Sequence, residues 1–220
     1  RRRAVVRTSQ GERSTADVWI DTIAAVLLAL AAVATAWSSY QASRWTGEQS
    51  KAFAAASAAR VESTRASSLA NAQTSVDVGV FTQWVDAELR GEEDLSEFYE
   101  QRFRDEFQPA FRAWLATNPF DDPTAPPSPF AMKEYQLAAN QDASELEATA
   151  DASAELARTN VQRATNYVLG VVLFATSLFF AGISTRLRST KLRGVILTVG
   201  CVVFITAASW IATFPISLSI

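Results

Sequence analysis

Hydrophobic and polar positions are distributed very unevenly along this chain. Three stretches carry almost no charge, at residues 18–40, 167–184 and 194–211. A helix rising about 1.5 Å per residue needs roughly 20 apolar residues to cross a hydrocarbon layer about 30 Å thick. The pattern therefore predicts three transmembrane helices. Between the first two, the apolar positions thin out into repeats of small residues spaced three and four apart. That spacing is helical rather than extended.

The first apolar run has no terminator. Helix-forming residues continue past Tyr40 to Arg90, and Gly91 is the first natural stop. Ala42, Trp45, Gln49, Ala52, Ala56, Ala59, Ser63, Ala66, Ala70 and Gln73 form a heptad-like seam along it. On the return path Ser128 has the chemistry of an N-cap and Pro129 that of a first helical residue. Ala139, Ala143, Leu146, Ala150, Ala154, Ala157, Val161, Ala164 and Val168 then lead straight into the second span. Two such arms read as a helical-hairpin stalk. At 1.5 Å per residue it would reach about 50 Å beyond the bilayer. Alanine seams allow close approach but bury little area, so the pair is expected to gain from neighbouring subunits.

The segment between the arms differs in composition: 11 of the 23 aromatic residues fall between Phe81 and Tyr135. Asp94 with Glu97 resembles a capping box. Leu95, Phe98, Phe103, Phe107, Phe111 and Trp114 follow on one apolar face, with Pro109 expected to kink the helix. Residues 118–129 contain five prolines and read as a loop.

Charge orients the arrangement. Nine of the 20 basic residues lie in two short flanks. These are Arg1, Arg2, Arg3, Arg7 and Arg13 before the first span, and Arg186, Arg188, Lys191 and Arg193 between the second and third. Residues 39–165 carry 11 basic and 20 acidic side chains, a net of −9. The positive-inside rule places both basic flanks in the cytoplasm and the acidic segment outside. Trp19, Trp37, Tyr40, Trp45, Tyr167 and Trp210 fall near span ends, where amphipathic rings prefer the headgroup level. The arginine-rich start and Ala34-Thr35-Ala36 also fit a cleavable secretory signal. The apolar run is long enough to span, and we read it as a retained signal anchor.

Composition narrows the chemistry. With no histidine and a single cysteine, Cys201, a transition-metal centre would need carboxylates alone. Serine nucleophiles have no evident base. Glu92, Glu93 and Asp94, and Asp121 with Asp122, offer oxygens to calcium but lack the spacing of a known loop. No cofactor, metal or nucleic-acid partner is expected. Two constellations remain. Asp21 with Ala25, Ala29, Ala32 and Ala36 makes a small-residue stripe on the first span, suited to close helix packing or to lining a pore. Asp17 and Asp21 also suit the positive end of that helix, with Ser14 and Asp17 spaced as a capping box. The aromatic face of Phe98, Phe103, Phe107, Phe111 and Trp114 is either a small core or a docking surface for a cell-envelope protein.

Ala36-Trp37-Ser38-Ser39-Tyr40-Gln41-Ala42, directly after an N-terminal span, resembles the bacterial three-span membrane proteins grouped as the domain-of-unknown-function 4337 family. The resemblance extends to the long helical segment and the closing pair of spans. It implies a bacterial membrane protein and supplies no activity.

The sequence thus reads as an all-α integral membrane protein of a bacterial cell (inner) membrane. Residues 1–17 form a basic cytoplasmic flank, 18–40 the first span and 41–166 an acidic extracytoplasmic helical domain, with an aromatic tip at 81–135. Residues 167–184 are the second span, 185–193 a basic cytoplasmic turn, 194–211 the third span and 212–220 an extracytoplasmic C-terminus. The expected role is a non-catalytic, homo-oligomeric scaffold or accessory protein in the bilayer. The alternative is a homo-oligomeric ion channel lined by the first span.

Overall fold

A computed structural model describes residues 15–217. The arginines of the first flank and Ser14 lie outside the described residues, as do residues 218–220. The described residues form five α-helices and no strand: α1 (Thr15–Arg90), α2 (Glu93–Glu100), α3 (Gln108–Leu115), α4 (Ala138–Ser184) and α5 (Thr190–Ile211). A short 3-10 turn, Pro129–Ala131, lies between α3 and α4. Three of the helices, α1, α4 and α5, are long and apolar enough to cross a membrane. The chain divides into two compact units. One comprises residues up to Lys51 and from Leu156 onward; the other is Ala52–Glu155.

In the first unit α1 runs antiparallel to α4, and α4 to α5. Ala24 and Leu27 of α1 meet Ala181 of α4 and Leu197 of α5 in one core. Ala42, Trp45, Ala164, Tyr167, Phe174, Ala207 and Ile211 make a second. Gly200 permits a close approach, because an added Cβ would stand 3.2 Å from Phe180 Cβ and 3.4 Å from Leu27 Cδ2. Beside it, Ser177 Oγ donates to Gly200 O at 2.9 Å, a polar tie between two apolar helices. Many large apolar side chains of this unit stay exposed, among them Val26, Leu30, Val33, Val172, Phe179 and Ile205. In water such a surface would be costly; in hydrocarbon it is the ordinary outside of a bundle.

In the second unit the α1 seam faces the α4 seam. Ala52, Ala56, Ala59, Ser63 and Ala70 are buried, as are Ala139, Ala143, Ala150 and Ala154. Each alanine contributes about one methyl of burial, worth about 0.8 kcal/mol. Hydrogen bonds supplement it: Ser63 Oγ donates to Ala143 O at 2.9 Å. Trp84, Phe103, Phe107, Phe111 and Trp114 form the unit's aromatic core, joined by Phe81, Phe130 and Tyr135.

Helix ends follow local chemistry where they can. Gly91 has φ +71°, and α1 closes in a Schellman arrangement with Gly91 N–H on Glu88 O and Glu92 N–H on Ala87 O, both 3.0 Å. Three expectations require correction. The capping box at Asp94 is not formed: α2 begins at Glu93, and its N-cap Glu92 makes no side-chain cap. A single kinked helix over the aromatic face is not formed either. Proline has no N–H and clashes with the carbonyl four residues back, so Pro109 sits in the first turn of α3, and residues 101–107 form turns. Ser128 and Pro129 open only the 3-10 turn; Ser128 caps nothing, and the long return helix starts at Ala138.

The second seam also changes register near the span. Val161 and Val168 are exposed, while Asn160 and Tyr167 are buried in their place.

Candidate functional site

Two places gather charged or polar chemistry. The first lies at the start of α1 and α5. Arg193, at the end of the basic run 185–193, belongs to the first turn of α5, and its side chain is 12% exposed. Its guanidinium bonds Asp17 Oδ1 at 3.3 Å, Asp21 Oδ1 in close contact and Ser184 O at 3.1 Å. Thr190 Oγ1 donates to the same Asp17 oxygen at 3.1 Å. Asp21 is therefore engaged within the chain, and one arginine clasps all three spanning helices. A charge so near hydrocarbon needs a partner, and the i, i+4 carboxylate pair on α1 was the signal for it. Replacing Arg193 by alanine strands two carboxylates, and we expect a loss on the order of 1–3 kcal/mol from charged hydrogen bonds. Lysine should restore only part, since it lacks the planar fork that reaches three acceptors. Thermal unfolding in detergent checks this; a fully stable Arg193→Ala would contradict the clasp.

Ala25, Ala29, Ala32 and Ala36 are all exposed, whereas Ala24, Leu27 and Ala31 carry the contacts within the bundle. The stripe therefore does not serve packing inside the chain. Its outward side is left to lipid or another copy.

The second place is in the unit Ala52–Glu155. Asp77 of α1 is buried, its side chain 1% exposed. Its Oδ2 accepts from Arg104 Nη1 at 3.0 Å and from the Tyr135 hydroxyl at 3.0 Å, with Thr74 Oγ1 3.2 Å from the same phenol oxygen. Arg104 also bonds Glu106 Oε2, and Glu106 Oε1 accepts the first N–H of α4, Ala138 N, at 3.0 Å. Glu106 thus supplies the cap expected of Ser128. Burial raises the Asp77 carboxyl above its ordinary range, although the Tyr135 hydrogen bond and the Arg104 charge oppose that shift. Burial likewise raises the Tyr135 phenol. The arrangement locks α1, the α2–α3 turns and the start of α4 together.

The five aromatic residues expected on one face part company. Phe103, Phe107, Phe111 and Trp114 are buried, and the Trp114 indole N–H is satisfied by Pro126 O at 2.8 Å. Interior packing removes these four from any surface. Phe98 alone is exposed, with the Arg102 guanidinium 3.3 Å from its ring centre. Among the calcium candidates, Asp122 Oδ1 accepts from Thr124 N and Oγ1, both 2.7 Å, which lowers its pKa and marks a local turn. No group of three or more metal-ligating side chains converges among the described residues.

Comparison with protein-family models, with curated proteins and with solved structures finds no match for this chain.

Proposed function

We propose that the chain is a non-catalytic, homo-oligomeric scaffold or accessory protein of a bacterial cell membrane, with the unit Ala52–Glu155 held outside the cytoplasm for cell-envelope partners. The observation that carries this reading is the outer side of α1. In the first unit it exposes Ala25, Ala29, Ala32, Ala36, Ser39 and Ser43. In the second it exposes Ala54, Ser57, Val61, Thr64, Ser68, Ala72, Ser75 and Gly79. Small residues at this spacing let helix backbones approach closely. Three of the hydroxyls make no demand on a neighbour: Thr64, Ser68 and Ser75 bond the carbonyls of Arg60, Thr64 and Asn71 at 2.8–2.9 Å. Exposed Phe53, Leu69 and Val76 on the same length of helix add apolar surface outside the spans. The resemblance to the domain-of-unknown-function 4337 family accords with this reading.

The channel reading needs a ring of free carboxylates at Asp21, whereas that carboxylate, its side chain 44% exposed, is paired with Arg193 of the same chain. The scaffold reading needs no such ring. Its non-catalytic character is supported by a sequence without histidine.

Orientation is tested by thiol labelling in a Cys201→Ala background. An impermeant maleimide should modify Asp122→Cys in intact cells and Ser189→Cys only after lysis; both positions are exposed. The reverse pattern overturns the orientation, and equal labelling of both in intact cells overturns the membrane placement.

A further inference from the structure

We infer that a cavity in the three-helix unit, under the segment that follows α5, holds part of one acyl chain of a membrane phospholipid, whose ester carbonyl accepts a hydrogen bond from Ser38. The inference rests on the reading of this unit as membrane-embedded.

The cavity has a volume of about 250 Å³, and Ala34, Phe174, Ala208, Ile211, Phe214 and Ile216 supply most of its wall. Residues 212–217 fold back over it. Ser217 N–H donates to Gln41 Oε1 at 3.0 Å, Gln41 Nε2 returns a bond to Ser217 O at 3.5 Å, and the Tyr167 hydroxyl donates to Pro215 O at 3.1 Å. Ser38 also lines the cavity. It is 0% exposed, yet its Oγ has no hydrogen-bond partner. Three other α1 hydroxyls nearby are satisfied within the helix. Thr35 bonds Ala31 O at 2.7 Å, Thr46 bonds Ala42 O at 2.9 Å and Ser50 bonds Thr46 O at 3.0 Å. An orphaned buried hydroxyl in an apolar wall calls for an acceptor brought by something else.

Water is a poor candidate. A buried water needs two to four polar partners; besides Ser38, the lining side chains offer only the Tyr167 oxygen, whose proton goes to Pro215 O, and the Trp37 indole at the rim. Hydrocarbon fits the wall, and an unfilled apolar space would forfeit dispersion contacts on every side. The volume lies below the roughly 300–1,000 Å³ of pockets that enclose a drug-sized ligand. One stretch of chain can enter, with the headgroup left outside. Trp37, Ala212 and Ile216 at the rim are exposed. A tryptophan there matches the interfacial depth at which ester carbonyls lie.

The test uses the full chain in vesicles of phosphatidylethanolamine and phosphatidylglycerol, doped with a phosphatidylglycerol bearing a diazirine close to the carbonyl end of one acyl chain. A parallel set carries the same diazirine on a free fatty acid. After irradiation, peptide mass spectrometry should find label concentrated on residues 34–38 and 208–216 over the outward positions Val26, Val172 and Phe179. Ser38→Ala should lower cavity labelling about 2–10-fold, the worth of one net hydrogen bond. Ala212→Trp, a change at the exposed rim, should abolish it while circular dichroism stays unchanged. Equal labelling of cavity and outward positions overturns the inference and leaves the membrane reading intact. Labelling of neither overturns both. Cavity labelling by the fatty acid alone overturns the phospholipid as occupant.

Discussion

Arg104→Met is expected to cost the chain about 3–5 kcal/mol at neutral pH, the penalty for leaving one member of a buried ion pair without its partner. Asp77 would keep the Tyr135 hydroxyl but lose the Arg104 guanidinium on its carboxylate. Glu106 would also lose a partner, although it retains Ala138 N–H. The pH dependence has a definite sign. Burial already raises the Asp77 carboxyl in the folded state. A raised carboxyl is a cost present above its folded pKa, and the cost is relieved as pH falls toward the unfolded value. Removing Arg104 raises that group further. The gap between Arg104→Met and the parent chain should therefore be widest at neutral pH and narrow on acidification. Asp77→Asn should cost far less, because it keeps an acceptor for Tyr135 and leaves Arg104 with Glu106. Urea unfolding followed by fluorescence of the buried Trp84 and Trp114 measures all three. An Arg104→Met deficit that is the same at acid and neutral pH would show that Asp77 is not the group left unpaired.

Phe107→Ala should be equally damaging, by about 3–5 kcal/mol for a fully enclosed aromatic side chain. Phe107 is 0% exposed, and its ring lies within 6.1 Å, centre to centre, of Phe81, Phe103, Phe111, Phe130 and Tyr135. Those neighbours come from α1, the turns after α2, α3 and the segment before α4, so the cavity left behind cannot close by moving one element. Phe98→Ala is the matched control. Phe98 is exposed and touches chiefly Tyr99 and Arg102, and surface changes of that kind usually stay near 0.5 kcal/mol. Loss of near-ultraviolet circular dichroism on warming separates the two. Equal effects would mean that the aromatic cluster is not the core of this unit.

The contrast between these residues shows what one-dimensional pattern can carry. Helix α1 was legible almost to the residue, because no proline falls between Thr15 and Arg90, only Gly47 and Gly79 weaken the run, and Gly91 supplies the left-handed stop. The α1 seam was legible because alanine among longer polar residues marks a close contact. The aromatic face was misread as one helix because Phe103, Phe107 and Phe111 repeat every four residues. Two of them reach the core from turns, where helical spacing means nothing. Val161 and Val168 misled for a different reason. Asn160 and Tyr167 carry groups that need partners, and they occupy the seam while the two valines stay at the surface. Arg163 Nη1 bonds Asn160 Oδ1 at 3.2 Å, and Tyr167 bonds Pro215 O. The Asp77–Arg104–Tyr135 latch joins positions 27 and 58 residues apart, and no local period records such a pairing. The Asp21 partner was hidden in the same way, 172 residues along the chain.

Association of copies along α1 is the claim on which the scaffold reading depends, and cysteine cross-linking in native membranes reaches it directly. In a Cys201→Ala background, cysteines placed singly at Ala25, Ala29, Ala32 and Ala36 lie on the proposed contact side, whereas Val26 and Leu30 are exposed on a different side of the same helix. A disulfide forms only when two Cα atoms come within about 4.4–6.8 Å, so its yield reports close backbone approach. Mild oxidation is expected to give covalent dimers from the four alanine positions and little from Val26→Cys or Leu30→Cys. Dimers absent from every alanine position, or equally abundant from Leu30→Cys, would contradict assembly through this face.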